Sequence, residues 1–281
     1  MTSAATTQGA IRADLYVAAM QWRGARVLVT GASGGLGESF ARALAANGSD
    51  LVLAARSGDK LTAIAQQLHA EHGVDVVVLV ADLSAPGAGA KLYAEATADG
   101  AIDVVVNNAG FAIHGDVADN DADELTQEVA LNVATLVDLT RAALPEMLAR
   151  RRGAIINIAS TAAFQPLRGM AVYGASKAFV LSFTQALAAE CKGTGVDALA
   201  VCPGPVDTGF FDRAGIHDRT FGKAADPADV VTAALASLGR RTVAIPGVRN
   251  RASAFGARVL PRRFVVRMAG RIVERGRPRR P

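Results

Sequence analysis

Residues 26–37 have the sequence RVLVTGASGGLG, an apolar run that leads into closely spaced glycines. The glycines Gly31, Gly35 and Gly37 follow the spacing G-x-x-x-G-x-G rather than G-x-G-x-x-G. A helical pattern begins directly afterwards, so the stretch predicts a strand, a tight turn and a helix. In this order, the N–H groups of the turn and the helix N-terminus would point at a pyrophosphate. We interpret residues 31–37 as a phosphate-binding turn, the alternative being a glycine-rich turn without a ligand.

Short apolar runs alternate with longer amphipathic stretches along most of the chain. Runs of this length, rich in Val, Ile and Ala, suit strands that are buried on both faces. Because strands that alternate with helices build a parallel sheet, we expect an α/β fold with a doubly wound parallel sheet of about seven strands, a Rossmann fold. The predicted strands are 26–30, 51–55, 74–80, 102–106, 154–159, 196–201 and 242–245. The predicted helices are 36–47, 59–72, 87–99, 122–150, 171–192 and 226–238.

The end of the second predicted strand bears on the choice of dinucleotide. An acidic residue about 20 positions after the turn would accept a hydrogen bond from the ribose 2′-hydroxyl of NAD. Arg56 stands there instead, 19 residues after Gly37. A guanidinium can hold a 2′-phosphate with two hydrogen bonds, and Ser33 and Ser57 can add hydroxyl donors. We predict NADP(H) over NAD(H), the alternative being a solvated arginine at a strand end.

Tyr173 and Lys177 are four residues apart at the start of a predicted helix, so they share one helix face. A phenol with a pKa of about 10 is a weak acid–base group at neutral pH, and a neighbouring ammonium lowers that pKa. Ser160 follows the predicted strand 154–159, at the sheet edge where ligands of doubly wound folds bind. These side chains predict a site that polarises an oxygen and transfers a proton. Taken alone, a Tyr and a Lys at this spacing also fit a surface pair.

Further motifs stand in the same order along the chain: Asp-Leu at 82–83, Asn-Asn-Ala-Gly at 107–110, Asn132 and Pro-Gly at 203–204. Together with the glycine turn, Ser160, Tyr173 and Lys177, they resemble the short-chain dehydrogenase/reductase family over about 25–240. The resemblance implies an NAD(P)-dependent oxidoreductase that moves a hydride between nicotinamide and a carbonyl or secondary alcohol carbon. In that family the tyrosine exchanges the proton, the lysine binds the nicotinamide ribose and tunes the tyrosine, and the serine holds the substrate oxygen.

The resemblance also assigns supporting roles. The asparagine matching Asn132 belongs to a helix and supports a water that relays protons through the lysine. Asp82 is expected to face the adenine, Asn108 to lie beside the cofactor and Thr208 to contact the carboxamide. Alternatives are a polar turn at 107–108 and a helix interruption at Asn132. The full predicted set of cofactor contacts is Gly31, Ser33, Gly35, Leu36, Gly37, Arg56, Asp82, Leu83, Asn108, Ala109, Gly110, Tyr173, Lys177, Pro203, Gly204, Val206 and Thr208.

The substrate is expected to be apolar. Phe111, Phe164, Phe210 and Phe211 suggest an apolar pocket, with packing in the core as the alternative for each, and 209–223 suggests a lid. No cluster of charges marks a charged substrate, so a ketone, a ketosteroid or a 3-oxoacyl thioester fits. The histidines lack metal spacing, and no metal is expected. A catalytically idle dinucleotide sensor or scaffold is the alternative function.

Composition limits the class of protein. The chain has 281 residues, of which 51% are hydrophobic and 20% charged, so it can bury a large core. It has no apolar run of 18 residues, no secretory signal and two cysteines, Cys191 and Cys202, which suits a cytoplasmic protein. We divide it into a leader (1–24), one Rossmann domain (25–248) and a basic extension (249–281).

The extension has eleven arginines and one acidic residue, a charge of +10, so the rest carries 4 − 10 = −6. A general nucleic-acid role does not follow from such a tail. Apolar residues at Leu260, Phe264, Met268 and Ile272 alternate with arginines at helical spacing, which predicts an amphipathic helix with Pro261 near its start. Three partners remain open: the body or a sister subunit, an anionic membrane surface, or an anionic carrier or acidic protein.

Self-association is a separate expectation. The predicted helix 122–150 is apolar over much of its surface, more than one sheet face can cover, and relatives of the resembled family commonly pair through this helix and 171–192. We therefore expect a homodimer or homotetramer. The apolar positions are Leu125, Val129, Leu131, Val133, Leu136, Val137 and Leu139.

Overall fold

The computed structural model describes residues 22–210, 214 and 223–274, with side chains up to residue 270. Most of the leader, Phe211, His217 and the side chain of Ile272 lie outside the described residues. Within the described part, seven parallel strands form one sheet in the order β3-β2-β1-β4-β5-β6-β7, which confirms the doubly wound α/β fold. The strands are β1 Arg26–Thr30, β2 Asp50–Ala55, β3 Val76–Val80, β4 Val104–Asn107, β5 Gly153–Ile158, β6 Val196–Val201 and β7 Val243–Ala244.

Helices cover both faces of the sheet, much as the sequence predicts. The exception is the stretch 122–150, where a π-helical turn at Ala130–Ala134 separates two α-helices. The helices are α1 Gly35–Ala46, α2 Gly58–His72, α3 Ala88–Ala96, α4 Ala122–Val129, α5 Thr135–Arg150, α6 Ala171–Glu190, α7 Pro227–Ser237, α8 Val248–Val259 and α9 Arg262–Glu274.

The strand side chains divide between two core layers because successive residues of a strand point to opposite faces. Val27 and Val29 of β1 pack with Phe40 of α1 on one face. Leu28, between them, packs on the other face with Leu139 of α5. β1 and β4 are neighbours, and the chain runs from them toward opposite edges, so their carboxyl ends form the crevice where such folds bind ligands.

The C-terminal extension contains a helix that starts directly after Pro261, as the sequence predicts, and a preceding helix that was not predicted. α8 and α9 are separated at Leu260 and Pro261, where proline cannot continue the hydrogen-bond ladder of α8. Leu260, Phe264 and Met268 of the predicted apolar stripe are 45%, 48% and 48% exposed, so this stripe does not pack on the body of the same chain. The extension does pack on the body, but through the face of α9 that carries Val265 and Ala269. No helix in the described ranges is long and apolar enough to cross a membrane.

Candidate active site

The glycine turn is fastened to the carboxyl end of β4. The Thr30 hydroxyl accepts hydrogen bonds from the N–H groups of Asn108 and Ala109, both at 3.0 Å, and Asn108 Nδ2 donates to the Thr30 carbonyl at 2.9 Å. A Cβ at Gly37 would lie 2.4 Å from the Gly31 carbonyl oxygen and 2.5 Å from Asn108 Nδ2, so no side chain fits there. The tight turn leads straight into the N-terminus of α1, which is the arrangement that a dinucleotide pyrophosphate requires.

The loop after β6 lies across this turn. A Cβ at Gly35 would lie 3.0 Å from Thr208 Cβ, and Gly35 has a φ of +58°, so the close approach depends on glycine. The Thr208 hydroxyl donates to the Val206 carbonyl at 3.3 Å, which holds the loop in a turn. A Cβ at Gly204 would lie 2.5 Å from Asn250 Oδ1 of α8. The first helix of the extension therefore supports the loop that carries the predicted carboxamide contact.

Arg56 and Asp82 lie on the other side of the turn. Arg56 is exposed at the end of β2. Asp82 accepts hydrogen bonds from the Ser84 N–H at 3.0 Å and the Ser84 hydroxyl at 2.7 Å, and these, with the charge of Arg56, hold the pKa of its carboxyl below the usual value. Leu83 is buried in the core and its carbonyl accepts a hydrogen bond from Thr135. An exposed guanidinium at this edge fits a 2′-phosphate.

Tyr173, Lys177 and Ser160 meet at the carboxyl end of β5. Lys177 Nζ lies 5.8 Å from the centre of the Tyr173 ring and donates a hydrogen bond to the Ile158 carbonyl at 2.8 Å. The Ser160 side chain hydrogen-bonds the Tyr173 hydroxyl. The Ser160 oxygen also accepts the N–H of Ala162 at 3.1 Å, which starts a short 3₁₀ helix. The structure thus brings the three predicted side chains together.

Burial dominates the proton affinities of this group. Burial raises the pKa of Tyr173 to about 12, the Ser160 hydrogen bond opposes the rise, and the charge of Glu128 adds to it. Lys177 is not among the groups that set this pKa, so its effect on the phenol stays a prediction. Burial likewise lowers the pKa of Lys177 to about 8, against the opposing effects of Cys202 and Glu128.

Asn132 lies in the π-helical turn and faces the same group. Its Oδ1 accepts the Phe111 N–H at 3.1 Å, and its Nδ2 donates to the Phe111 carbonyl at 2.9 Å and to the Ser176 hydroxyl at 3.2 Å. A Cβ at Gly110 would lie 2.7 Å from Asn132 Oδ1 and 3.6 Å from Lys177 Nζ. Glycine at this position lets the amide and the ammonium approach each other.

A buried polar ladder beneath the site is one feature that the sequence analysis missed. Asn107 Nδ2 donates to Asn157 Oδ1 at 2.8 Å and to the Thr140 hydroxyl at 3.2 Å, and Asn157 Nδ2 donates to the Thr184 hydroxyl at 2.9 Å. These bonds tie β4 and β5 to α5 and α6, the helix that carries Tyr173. Buried polar groups that are fully paired fix one arrangement of the elements they join.

An apolar wall stands beside Tyr173. The Phe210 ring lies 5.7 Å from the Tyr173 ring, while Phe164 instead lies under the Arg258 guanidinium at 5.2 Å. Phe111 contributes its backbone to Asn132. Among the described residues no group of three or more metal-binding side chains occurs. The wall consists of Ala112, Ala162, Leu167, Met170, Tyr173 and Ala269 of α9, with Phe210 and Ala214 packed against it.

Comparison with known proteins agrees with this geometry. The family model described as short chain dehydrogenase matches residues 25–218. The chain belongs to the short-chain dehydrogenase family. An uncharacterized oxidoreductase of Staphylococcus epidermidis is 35% identical over 209 residues, which are 74% of this chain and 89% of the relative.

Two solved structures of dehydrogenases are also similar to this chain in fold and sequence. A short-chain dehydrogenase from Sphingobium yanoikuyae in complex with NADPH is 38% identical, with a TM-score of 0.77 over 83% of this chain and 93% of that one. A 7β-hydroxysteroid dehydrogenase is 28% identical, with a TM-score of 0.81 over 88% of this chain and 97% of that one. This short-chain dehydrogenase is therefore an NAD(P)-dependent oxidoreductase that uses a nicotinamide dinucleotide and a small-molecule substrate.

Proposed function

We propose that this enzyme transfers a hydride between NADP(H) and a bulky apolar ketone or secondary alcohol, with Tyr173 as the proton donor or acceptor. The observation that carries the proposal is the buried Tyr173 hydroxyl, hydrogen-bonded to Ser160, near Lys177 and beside an apolar wall. A catalytically idle relative would be expected to lack one of these three side chains, and all three are present.

Bound nicotinamide supplies the hydride in this chemistry. In the reductive direction, the Ser160 and Tyr173 hydroxyls donate hydrogen bonds to the carbonyl oxygen and stabilise the negative charge that grows there. Tyr173 then gives its proton to that oxygen. The Lys177 ammonium stabilises the resulting phenolate, which offsets the unfavourable effect of burial. Asn132 supports the water through which a proton returns toward Lys177.

Cofactor choice rests on Arg56 and the glycine turn. The Gly31, Gly35 and Gly37 backbone fits the pyrophosphate, and Ser33, Leu36 and the end of β4 line the same edge. The Arg56 guanidinium would pair with the 2′-phosphate of NADP(H), since no carboxylate occupies its place to accept from a 2′-hydroxyl. The NADPH-bound relative supports this preference.

The apolar side chains packed around Tyr173, with the Phe210 ring 5.7 Å from its ring, support an apolar substrate. The structural neighbour that is a hydroxysteroid dehydrogenase supports an apolar substrate of that size. The test is NADPH consumption with hydrophobic ketones, ketosteroids and 3-oxoacyl thioesters, beside polar sugars and 2-oxo acids as controls. Faster turnover of the polar set would overturn the proposed class.

The basic extension (249–281) is proposed to dock on an anionic membrane surface. Its two helices present apolar side chains to solvent, with Phe255 68%, Val259 62% and Phe264 48% exposed. Exposed arginines flank them, among them Arg263 and Arg267 on α9. Each basic residue near an anionic bilayer contributes about 1 kcal/mol, so charge and apolar contact favour the same partner. Because α9 also adjoins the wall, this docking would bring apolar substrates close to the site.

A homodimer or homotetramer is proposed to form through α4, α5 and α6, within the Rossmann domain at 25–248. Val129 of α4 and Phe179 of α6 remain 45% and 42% exposed in the single chain. Phe179 stacks on Phe183 at 5.8 Å and so presents a flat aromatic surface. Large apolar side chains left on helices are typical of subunit contacts.

A further inference from the structure

A carboxyl group lies buried behind the active site without an obvious partner. Glu128 of α4 is 0% exposed and stands four residues before Asn132, one helical turn away on the same face. Neither of its carboxyl oxygens accepts a hydrogen bond of ordinary geometry from the described part of the chain. Burying a charge in this way is costly unless an opposite charge compensates it, so the residue calls for a physical explanation.

The groups around Glu128 identify that opposite charge. From α6, Lys177 and Tyr173 interact with it electrostatically, and from the loop after β4 the Ile113 N–H points toward it. His114 is the neighbouring titratable side chain of that loop. Lys177 is the cation in this set whose charge opposes the carboxylate at neutral pH.

Burial shifts the pKa values of Glu128 and Lys177 in opposite directions, and each group opposes the shift of the other. Burial raises the pKa of Glu128 to about 7, and both the Ile113 N–H and Lys177 oppose the rise. Burial lowers the pKa of Lys177 to about 8, and Cys202 and Glu128 oppose the fall. Burial also raises the pKa of the Cys202 thiol to about 12, so the thiol is neutral in this range. Glu128 is therefore the group that can supply negative charge beside Lys177 near neutral pH.

We propose that Glu128 is the buried counter-charge that keeps Lys177 protonated, and that it acts as a positioning residue for the Tyr173–Lys177 pair. This inference rests on the proposed role of Lys177 in the reaction. Glu128 touches neither the substrate oxygen nor the cofactor in the proposal. It acts through Lys177 from α4, the helix that packs against α6.

The consequence is a change in pH dependence. Removing the carboxylate removes an effect that raises the pKa of Lys177, so the ammonium would lose its proton at a lower pH. Tyr173, with a pKa of about 12, loses its proton far above this range. The alkaline fall in kcat/KM for ketone reduction then follows Lys177, and it should begin at a lower pH when Glu128 is neutralised.

The first experiment compares pH profiles of kcat/KM for ketone reduction in the wild type, Glu128→Gln and Glu124→Gln. Glu124 is exposed one turn earlier on α4, so its variant removes the same charge without touching the site. We expect the alkaline limb of Glu128→Gln to move down by about one pH unit, and that of Glu124→Gln to stay in place. An unchanged limb in Glu128→Gln would overturn the proposal.

A second experiment measures the pair without any catalysis. Melting temperatures are compared at a pH between 7 and 8 for wild type, Glu128→Gln, Lys177→Met and the double variant, since pKa values of about 7 and about 8 leave each group at least half charged there. We expect Glu128→Gln to destabilise the wild type more than the Lys177→Met protein, because without the cation the buried carboxyl takes up a proton and is already neutral. Equal effects in both backgrounds would refute the pair. Because this measurement needs no substrate, a failure of the proposed function shows up separately, in the activity assay.

Discussion

The helices α6 and α9 both contribute to the apolar wall, but they differ in which side chains they bury. α6 buries its polar working groups: Tyr173 is 7% and Lys177 5% exposed, and each has a defined hydrogen-bond partner. Within 262–270, α9 buries Val265, Ala269 and Gly270 and leaves Phe264 and Met268 about half exposed. The chemistry therefore depends on side chains that are fixed by burial, while the folding of one chain does not explain the apolar outer face of α9.

The largest expected effect comes from changing Tyr173, a buried side chain of α6. Tyr173→Phe removes the proton donor but keeps the ring, so kcat should fall by about 10³-fold while NADPH binding stays nearly unchanged. Stopped-flow turnover and cofactor titration measure the two quantities. The matched control is Tyr93→Phe, which removes a buried hydroxyl that donates to Glu146 away from the site. A Tyr173→Phe enzyme that keeps more than a tenth of the wild-type kcat would disprove the role of the phenol.

The next largest effect concerns Arg56, the exposed arginine that we propose selects NADP(H) over NAD(H). Arg56→Asp should move the ratio of kcat/KM for NADPH over NADH by about 100-fold toward NADH, because a carboxylate repels the 2′-phosphate and accepts from the 2′-hydroxyl. Arg240→Asp, exposed after α7, is the control and should leave the ratio alone. A wild-type enzyme that already prefers NADH would show that our interpretation of β2 is incorrect.

A smaller effect is expected on membrane binding, which depends on the exposed face of α9, while its buried face affects stability. Arg263→Gln with Arg267→Gln should weaken binding to vesicles of anionic lipid by about 30-fold, and added salt should weaken wild-type binding. Arg240→Gln with Arg241→Gln removes the same charge from another exposed site and should keep wild-type binding. Val265→Ser, on the inner face, should lower the melting temperature instead. Wild-type protein that ignores anionic vesicles at low salt would contradict membrane docking and leave an acidic protein, an anionic carrier or a sister subunit as the partner.

The smallest effect concerns the exposed ring of α6. Phe179→Ser should weaken self-association by about tenfold, the effect of losing roughly 1.4 kcal/mol of apolar contact. Phe255→Ser makes the same change on α8 and should leave the oligomer intact. Light scattering over a dilution series gives the mass of each protein. A monomeric wild type at micromolar concentration would rule out the proposed assembly.

Much of this molecule follows from local sequence. The glycine turn, Arg56, Ser160 and the Tyr173–Lys177 spacing lie next to strand and helix ends, so their places could be predicted once the strands were found. The parallel sheet followed from the alternation of apolar and amphipathic stretches. These features depend on neighbours in the chain, and their positions relative to the elements agree with the structure.

Features that depend on distant neighbours were not predictable. In the sequence, Glu128 cannot be distinguished from a glutamate on the solvent face of a helix. Only the packing of α4 against α6 shows that it is buried near Lys177. In α9 the periodicity predicted an apolar stripe at Leu260, Phe264 and Met268 but left open what covers it. The structure instead buries Ala269 and Gly270, because small residues allow the helix to approach the chain at Arg168, where a Cβ on Gly270 would lie 3.3 Å from Arg168 Cβ.

Hydride transfer from NADPH to a ketone can be followed directly with an isotope label. Wild-type enzyme is given NADPH carrying deuterium at both C4 positions, together with a bulky apolar ketone, and the product is analysed by mass spectrometry. We expect an alcohol with one deuterium on the carbon that carries the hydroxyl, formed at least about 10³-fold more slowly by Tyr173→Phe. NADPH that binds without any labelled alcohol appearing, across the whole panel of apolar ketones, would contradict it.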